Sequence, residues 1–179
     1  TITQRHKHPE SWRELLAATD DFAKDGLELR AQIAPRSIGS MYGLQLSRHP
    51  FYLHPSFQPL LGKPLAEKVA AMRDPSMRAK LLSEKPGGNN ERLAERAANF
   101  KFTFPLGNPP DYEPPKEKSI AEMARQRGVS SEEIAYGLVL EDEGRAFLFS
   151  PNNNYAAYNL DVVENFIRHP RTCLGLSDG

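Results

Sequence analysis

The apolar positions of this chain change period along its length, and that change divides it into elements. From Ser11, "SWRELLAATDDFAKDG" repeats Trp12, Leu15, Leu16, Ala18 and Phe22 at helical spacing. Ser11 followed by Glu14 fits a capping box, and Gly26 suits the position just past a helix. "LELRAQIAP" then alternates, with Leu27, Leu29, Ala31 and Ile33 on one side and Glu28, Arg30 and Gln32 on the other, which predicts a strand ended by Pro35. With the β-branched start "TITQ", the first 36 residues read strand, helix, strand.

The central stretch breaks that alternation. Residues 36–60 read as loop, "PLAEKVAAMRD" and "PSMRAKLLSE" as helices opened by proline, and "ERLAERAANF" as a short third helix. "FKFTF" alternates like a strand. From Ser119 the alternation resumes: "SIAEMARQRG" and "SSEEIAYGLVLEDEG" as helices, "RAFLFSP" as an apolar strand, "LDVVENFIRHP" as a helix through Leu160, Val163, Phe166 and Ile167, and "TCLGLSD" as a final strand. Apolar strands alternating with amphipathic helices predict an α/β chain with a parallel sheet buried on both faces. Three segments follow: 1–36, a helical and proline-rich insertion over 37–118, and 119–179.

Composition narrows the classes of partner. The 179 residues carry 23 basic and 23 acidic side chains, so no net field favours nucleic acid or an anionic membrane. No apolar run approaches the roughly 20 residues of a membrane span. The start "TITQRHKHPE" has neither an initiator Met nor an apolar core, which predicts an internal start rather than a signal peptide. One cysteine, Cys173, excludes an internal disulfide and suits a reducing, cytoplasmic setting; its place in "TCLGL" predicts a packed thiol. Fifteen prolines exceed the usual ~5%. They cluster with aromatic residues in "RHPFYLHPSFQPLLGKP" and "FPLGNPPDYEPP", a composition of lids and binding loops rather than linkers.

Parallel α/β sheets bind ligands at the carboxyl ends of their strands. The proposed strands deliver Gln4, Arg5, His6 and His8; then Gln32 and Arg36; then Ser150 and Asn152–Tyr155; then Ser177 and Asp178. His6 and His8, two apart, share one side of an extended chain and supply two ligands of a Zn²⁺ site, or else form a solvated stretch before the helix. His49 and His54, each before a proline, read as loop residues, and His169 as a helix-end cap. There is no H-E-x-x-H, no phosphate-cradling glycine loop and no G-x-S-x-G elbow.

The ending "NLDVVENFIRHPRTCLGLSDG" resembles the last barrel strand and preceding helix of the amidohydrolase superfamily, in its N-acyl-D-amino-acid deacylase (D-aminoacylase-like) branch. "DGLELRAQIAPRSIG", "MRDPSMRAKLL", "FPLGNPPDYEP" and "RAFLFSPNNNYAAYNL" resemble other parts of the same family, so the likeness runs over nearly the whole chain. It implies a partial (β/α)₈ TIM-type barrel, about strands five to eight, with a largely helical insertion between strands six and seven. The remaining half of the barrel would then be supplied by a longer parent chain or by companion segments, because the outer strands would otherwise have unpaired edges.

The resemblance also implies chemistry. It gives Asp178 the role of metal ligand and general base, in a hydrolase of linear amides such as N-acyl-D-amino acids. At the fifth strand, where the family carries a histidine ligand, "TQRHK" offers Gln4, Arg5 or His6, with His6 the metal-binding candidate. At the sixth, "AQIAPR" carries Gln32 and Arg36 in place of a second histidine, which leaves open one or two divalent ions, zinc by family. Arg36 is a candidate clamp for a substrate carboxylate, or alternatively a salt bridge at a loop base. Gln32, Tyr112 and Asn154 are further candidates to contact the small-molecule substrate. Hydrolysis of cyclic amides, as in hydantoinases and dihydropyrimidinases, and a non-catalytic binding barrel with drifted ligands are the alternatives.

Overall fold

The computed structural model describes residues 1–88 and 91–175. In chain order the elements are α1 (Ser11–Lys24), β1 (Ala31–Ile33), β2 (Ile38–Tyr42), α2 (Leu65–Arg73), α3 (Pro75–Ser83) and α4 (Glu91–Ala97). There follow β3 (Phe104–Pro105), α5 (Ile120–Arg127), α6 (Ser131–Gly144), β4 (Leu148–Asn153), α7 (Asp161–Arg168) and β5 (Thr172–Leu174). The chain is α/β: β1 pairs β5 in parallel, and a second sheet has the order β2–β4–β3, with β3 and β4 antiparallel. It divides into two compact units: Thr1–Ser40 with the chain from Pro151 onward, and Met41–Ser150. The second therefore takes in α5 and α6 as well as the central helices.

In the first unit, β1 and β5 run parallel in the register Ala31↔Thr172, Gln32↔Cys173, Ile33↔Leu174. Ile2 adds a parallel bridge to Ile33 on the other side of β1, its N–H donating to Gln32 O at 2.8 Å. Of the strand, helix, strand order expected over 1–36, the helix is present, the first strand is reduced to the isolated Ile2 bridge, and only Ala31–Ile33 of the "LELRAQI" run is strand. β1 and β5 are direct neighbours, and β4 lies in the other sheet.

The core of this unit is Ile2, Trp12, Leu16, Ile33, Val162, Val163 and Phe166. Trp12 meets Phe166 edge to face, centroids 5.2 Å apart, the arrangement the ring quadrupoles favour. Helix α1 buries Trp12, Leu16 and Thr19, one stripe at i, i+4, i+7. Leu15 and Phe22, expected on the same face, form a second stripe that is exposed. Ser11 is the first helical residue rather than the cap: Glu10 is the cap residue, and Ser11 Oγ donates to His8 O at 2.9 Å. At the other end Gly26 takes the expected left-handed conformation, φ +83°.

Cys173, expected to be packed, is exposed, and Leu174 is 65% exposed. The reason is position: β5 is the edge strand of its sheet. His169 is the cap residue of α7, as its helix-end place predicts, and its Nε2 lies 3.4 Å from Asp20, which also meets Arg171 at 3.2 Å.

The second unit packs Leu44, Phe51, Phe57, Val69, Met72, Leu81, Ile120, Ala135, Tyr136 and Val139 into a larger core. Its helix starts follow local rules. Asp74 Oδ1 accepts from the N–H groups of Ser76 and Met77 ahead of Pro75-led α3, and Ser119 caps α5, which stops at left-handed Gly128. Ser130 and Glu133 form the capping box of α6. The expected strand "FKFTF" shrinks to β3, since Phe100–Phe102 wind into a 3₁₀ turn. β3 pairs with β4 antiparallel, Phe104 opposite Phe149, so not every strand is parallel.

Helix α6 does not stay regular to its end. Glu141 is extended, and Asp142, Glu143 and Gly144 are left-handed in succession, at φ 47°, 53° and 78°. Among the described residues no helix is long and apolar enough to cross a membrane.

Candidate functional site

The parallel direction of the first unit sets the site's location. Ile2, β1 and β5 lie side by side and run the same way, so the residues that follow each emerge at one edge. Past Ile2 come Gln4 and His6; past Ile33 come Ala34, Pro35 and Arg36; past Leu174 comes Gly175, whose N–H donates to Ile33 O at 2.8 Å. Asp178, expected as general base and metal ligand, lies outside the described residues.

One residue from the loop after β4 joins these strand ends. Asn154 Oδ1 accepts from Gln4 N at 2.8 Å, and Asn154 N donates to Gln4 O at 2.9 Å. Asn154 Nδ2 donates to Ala34 O at 3.4 Å and to Arg36 O at 3.1 Å. Gln4 Oε1 in turn accepts from Ala156 N at 3.0 Å. Gln4 is 6% exposed and Asn154 0%, so this is a buried polar knot whose members satisfy one another. Asn154 sits at φ +61°, a conformation asparagine tolerates better than most residues.

The knot changes the part expected of Asn154. Its amide hydrogen-bonds backbone partners inside the unit, and the residue is fully buried. Arg36 is exposed, at the carboxyl end of β1 and beyond the rigid Pro35. Gln32 is also exposed, but it is the middle residue of β1, opposite Cys173, and not at the strand end. Tyr112 belongs to the second unit, where it stands 52% exposed with its ring edge-on to Phe149 at 5.6 Å.

His6 and His8 are not carried on an extended chain. Arg5 to His8 closes a turn, His8 N donating to Arg5 O at 3.1 Å, which leaves His6 half-buried and His8 exposed. Among the described residues no group of three His, Cys, Asp or Glu side chains is placed to hold a metal ion. His6 alone does not make a metal centre.

Two features of the second unit escaped sequence reasoning. His49 and His54 lie in loop segments, as expected, yet both are buried, 2% and 6% exposed. Burial pushes the His49 imidazole down to about 3, with Lys68 and His54 acting in the same direction; burial also lowers His54, against the opposing pull of Glu84. His49 Nδ1 accepts from Phe51 N, and its ring packs edge-on to Phe57 at 4.2 Å. The only signal was the aromatic company of "RHPFYLHPSF". The second feature is a cavity of about 470 Å³ between Pro105–Pro110 and the end of α6, lined by Leu106, Leu138, Glu141, Asp142, Arg145 and Phe147 among others. The left-handed turn at Asp142–Gly144 builds one wall, and "LEDEG" gives no hint of it because its composition reads as plain helix.

Comparison of the chain with family models, with curated proteins and with solved structures returns no match.

Proposed function

We propose that the chain is part of a metal-dependent hydrolase that cleaves a linear C–N amide bond, with N-acyl-D-amino acids as the substrate class. The architecture that goes with this reading is a (β/α)₈ barrel, to which this chain contributes about strands five to eight and the intervening helical segment, and the setting is cytoplasmic. The observation that carries the proposal is the shared edge of the first unit: Ile2 and β5 each run parallel to β1, and Gln4, His6 and Arg36 follow at that edge. That is where parallel α/β sheets place their ligands.

Each residue's proposed part follows from its chemistry. Arg36 offers a planar fork of donors that matches a carboxylate with two parallel hydrogen bonds, orienting an N-acyl amino acid by its acid group. Asp178, by resemblance, accepts the proton of the attacking water and returns it to the leaving amine, so that amide and water become carboxylate and amine. His6 is the described residue that resembles a metal ligand. A divalent metal, zinc by the same resemblance, would polarise the scissile carbonyl when bound.

The test uses the natural full-length protein. Its metal content is measured by elemental analysis, and amine release is followed from N-acetyl-D-amino acids, their L counterparts, hydantoin and dihydrouracil. The expected result is a bound divalent metal and hydrolysis of the D-amides, falling by about 10²–10⁴-fold in Asp178→Asn. Cleavage of the cyclic amides alone would move the substrate class, and absence of both metal and hydrolysis would leave a binding barrel.

A further inference from the structure

We propose that Asn154 is a positioning residue: its buried amide locks the Ala34–Arg36 turn against the Gln4 strand end and thereby fixes where Arg36 presents its guanidinium. The kinetic part of the argument rests on the hydrolase reading above.

The geometry explains why the residue type matters. Asn154 must take a backbone hydrogen bond from one strand end while donating two to the other, and a primary amide is the small side chain that does both. The two carbonyls that it binds, Ala34 O and Arg36 O, flank Pro35, whose ring fixes φ and removes a donor. With both carbonyls held inward, the Arg36 side chain is left on the exposed side of the turn. Asn154 thus controls the direction of Arg36 through its backbone. Aspartate in its place would meet the same two carbonyls with no proton to give. Glycine would keep the left-handed backbone and lose all three side-chain bonds.

A merely stabilising knot and a positioning knot differ in what they do to substrates. In the full-length protein, Asn154→Gly is expected to raise KM for N-acetyl-D-leucine about tenfold, with kcat changed by no more than about threefold. KM for the uncharged N-acetyl-D-leucinamide should stay unchanged, because it lacks the carboxylate that Arg36 would hold. In an Arg36→Met background, Asn154→Gly should add no further loss, the mark of two residues acting through one interaction. An equal rise in KM for both substrates, or additive losses in the double variant, would overturn the proposal. If Asn154→Gly does not fold, Asn154→Asp is read the same way.

A readout independent of activity separates this proposal from the hydrolase reading. Modification of arginines by phenylglyoxal, followed by mass spectrometry, should change at Arg36 in Asn154→Gly and remain as in the parent at Arg30. If the parent protein hydrolyses nothing, the hydrolase reading fails while this comparison still decides the positioning. An unaltered Arg36 rate would sink it.

Discussion

Gln4 and Asn154, 150 residues apart in the chain, exchange two hydrogen bonds: Gln4 N donates to Asn154 Oδ1 at 2.8 Å, and Asn154 N donates to Gln4 O at 2.9 Å. The Gln4 side chain extends the link by accepting from Ala156 N. Gln4→Leu keeps the two shared bonds and strands that N–H in a part-buried setting. The expected loss is about 1–3 kcal/mol of stability, read from the urea midpoint; an unmoved midpoint would show that water fills the vacancy.

The buried histidines predict an acid-sensitive fold. The folded pKa of His49, about 3, lies below its ordinary value of 6.5. The native state therefore binds fewer protons than the unfolded chain between those values. The contribution is complete above pH 6.5 and declines as pH falls towards 3, by on the order of 4–5 kcal/mol over the whole window. His54, lowered in the same direction, adds to the slope. Urea midpoints at pH 7, 6, 5 and 4 should fall steadily, and less steeply in His49→Phe. Parallel curves for the two proteins would refute the assignment.

Helix α6 holds two glycines with opposite requirements. A Cβ on Gly144 would lie 2.6 Å from Val69 Cγ2 and 3.1 Å from Leu65 Cδ1, at φ +78°, so Gly144→Ala should cost about 2–4 kcal/mol. Gly137 is helical with nothing within 4 Å of such a Cβ, and Gly137→Ala should gain about 0.5–1 kcal/mol. Thermal unfolding of the pair should move in opposite directions; a shared direction would contradict the turn at Asp142–Gly144.

Thr103 is fully buried, and its hydroxyl donates to Asn99 O at 2.9 Å and shares a hydrogen bond with Ser150 Oγ at 3.1 Å. Thr103→Val preserves the shape and leaves those oxygens short of a partner. A loss of about 1–2 kcal/mol is expected, measured by denaturant unfolding, and a neutral result would mean that Ser150 finds another acceptor.

What the sequence made legible was what neighbouring residues decide. The proline that opens α3 and the left-handed Gly26 after α1 act within one helical turn, and each is where its local signal places it. Long-range relations were not legible. Leu15 and Phe22 share the apolar periodicity of Trp12 and Leu16, and no local rule says which stripe will be covered. The two-residue spacing of His6 and His8 suggested an extended chain, but the Arg5–His8 turn intervenes. Asn154 was legible as a polar group at a strand end; only the fold shows it turned inward to Gln4, Ala34 and Arg36.

The pairing of β1 with β5 joins residues such as Ala31 and Thr172, whereas the second unit is one uninterrupted run of chain. Synthesis from the N-terminus therefore completes the second core while Trp12 still waits for Phe166, and the closure of the first unit is the slow, high-contact-order step. Trp12 is the chain's single tryptophan, and its ring is buried against Phe166 in that late-forming core. Its fluorescence is consequently a private clock for the first unit, blind to the assembly of the second.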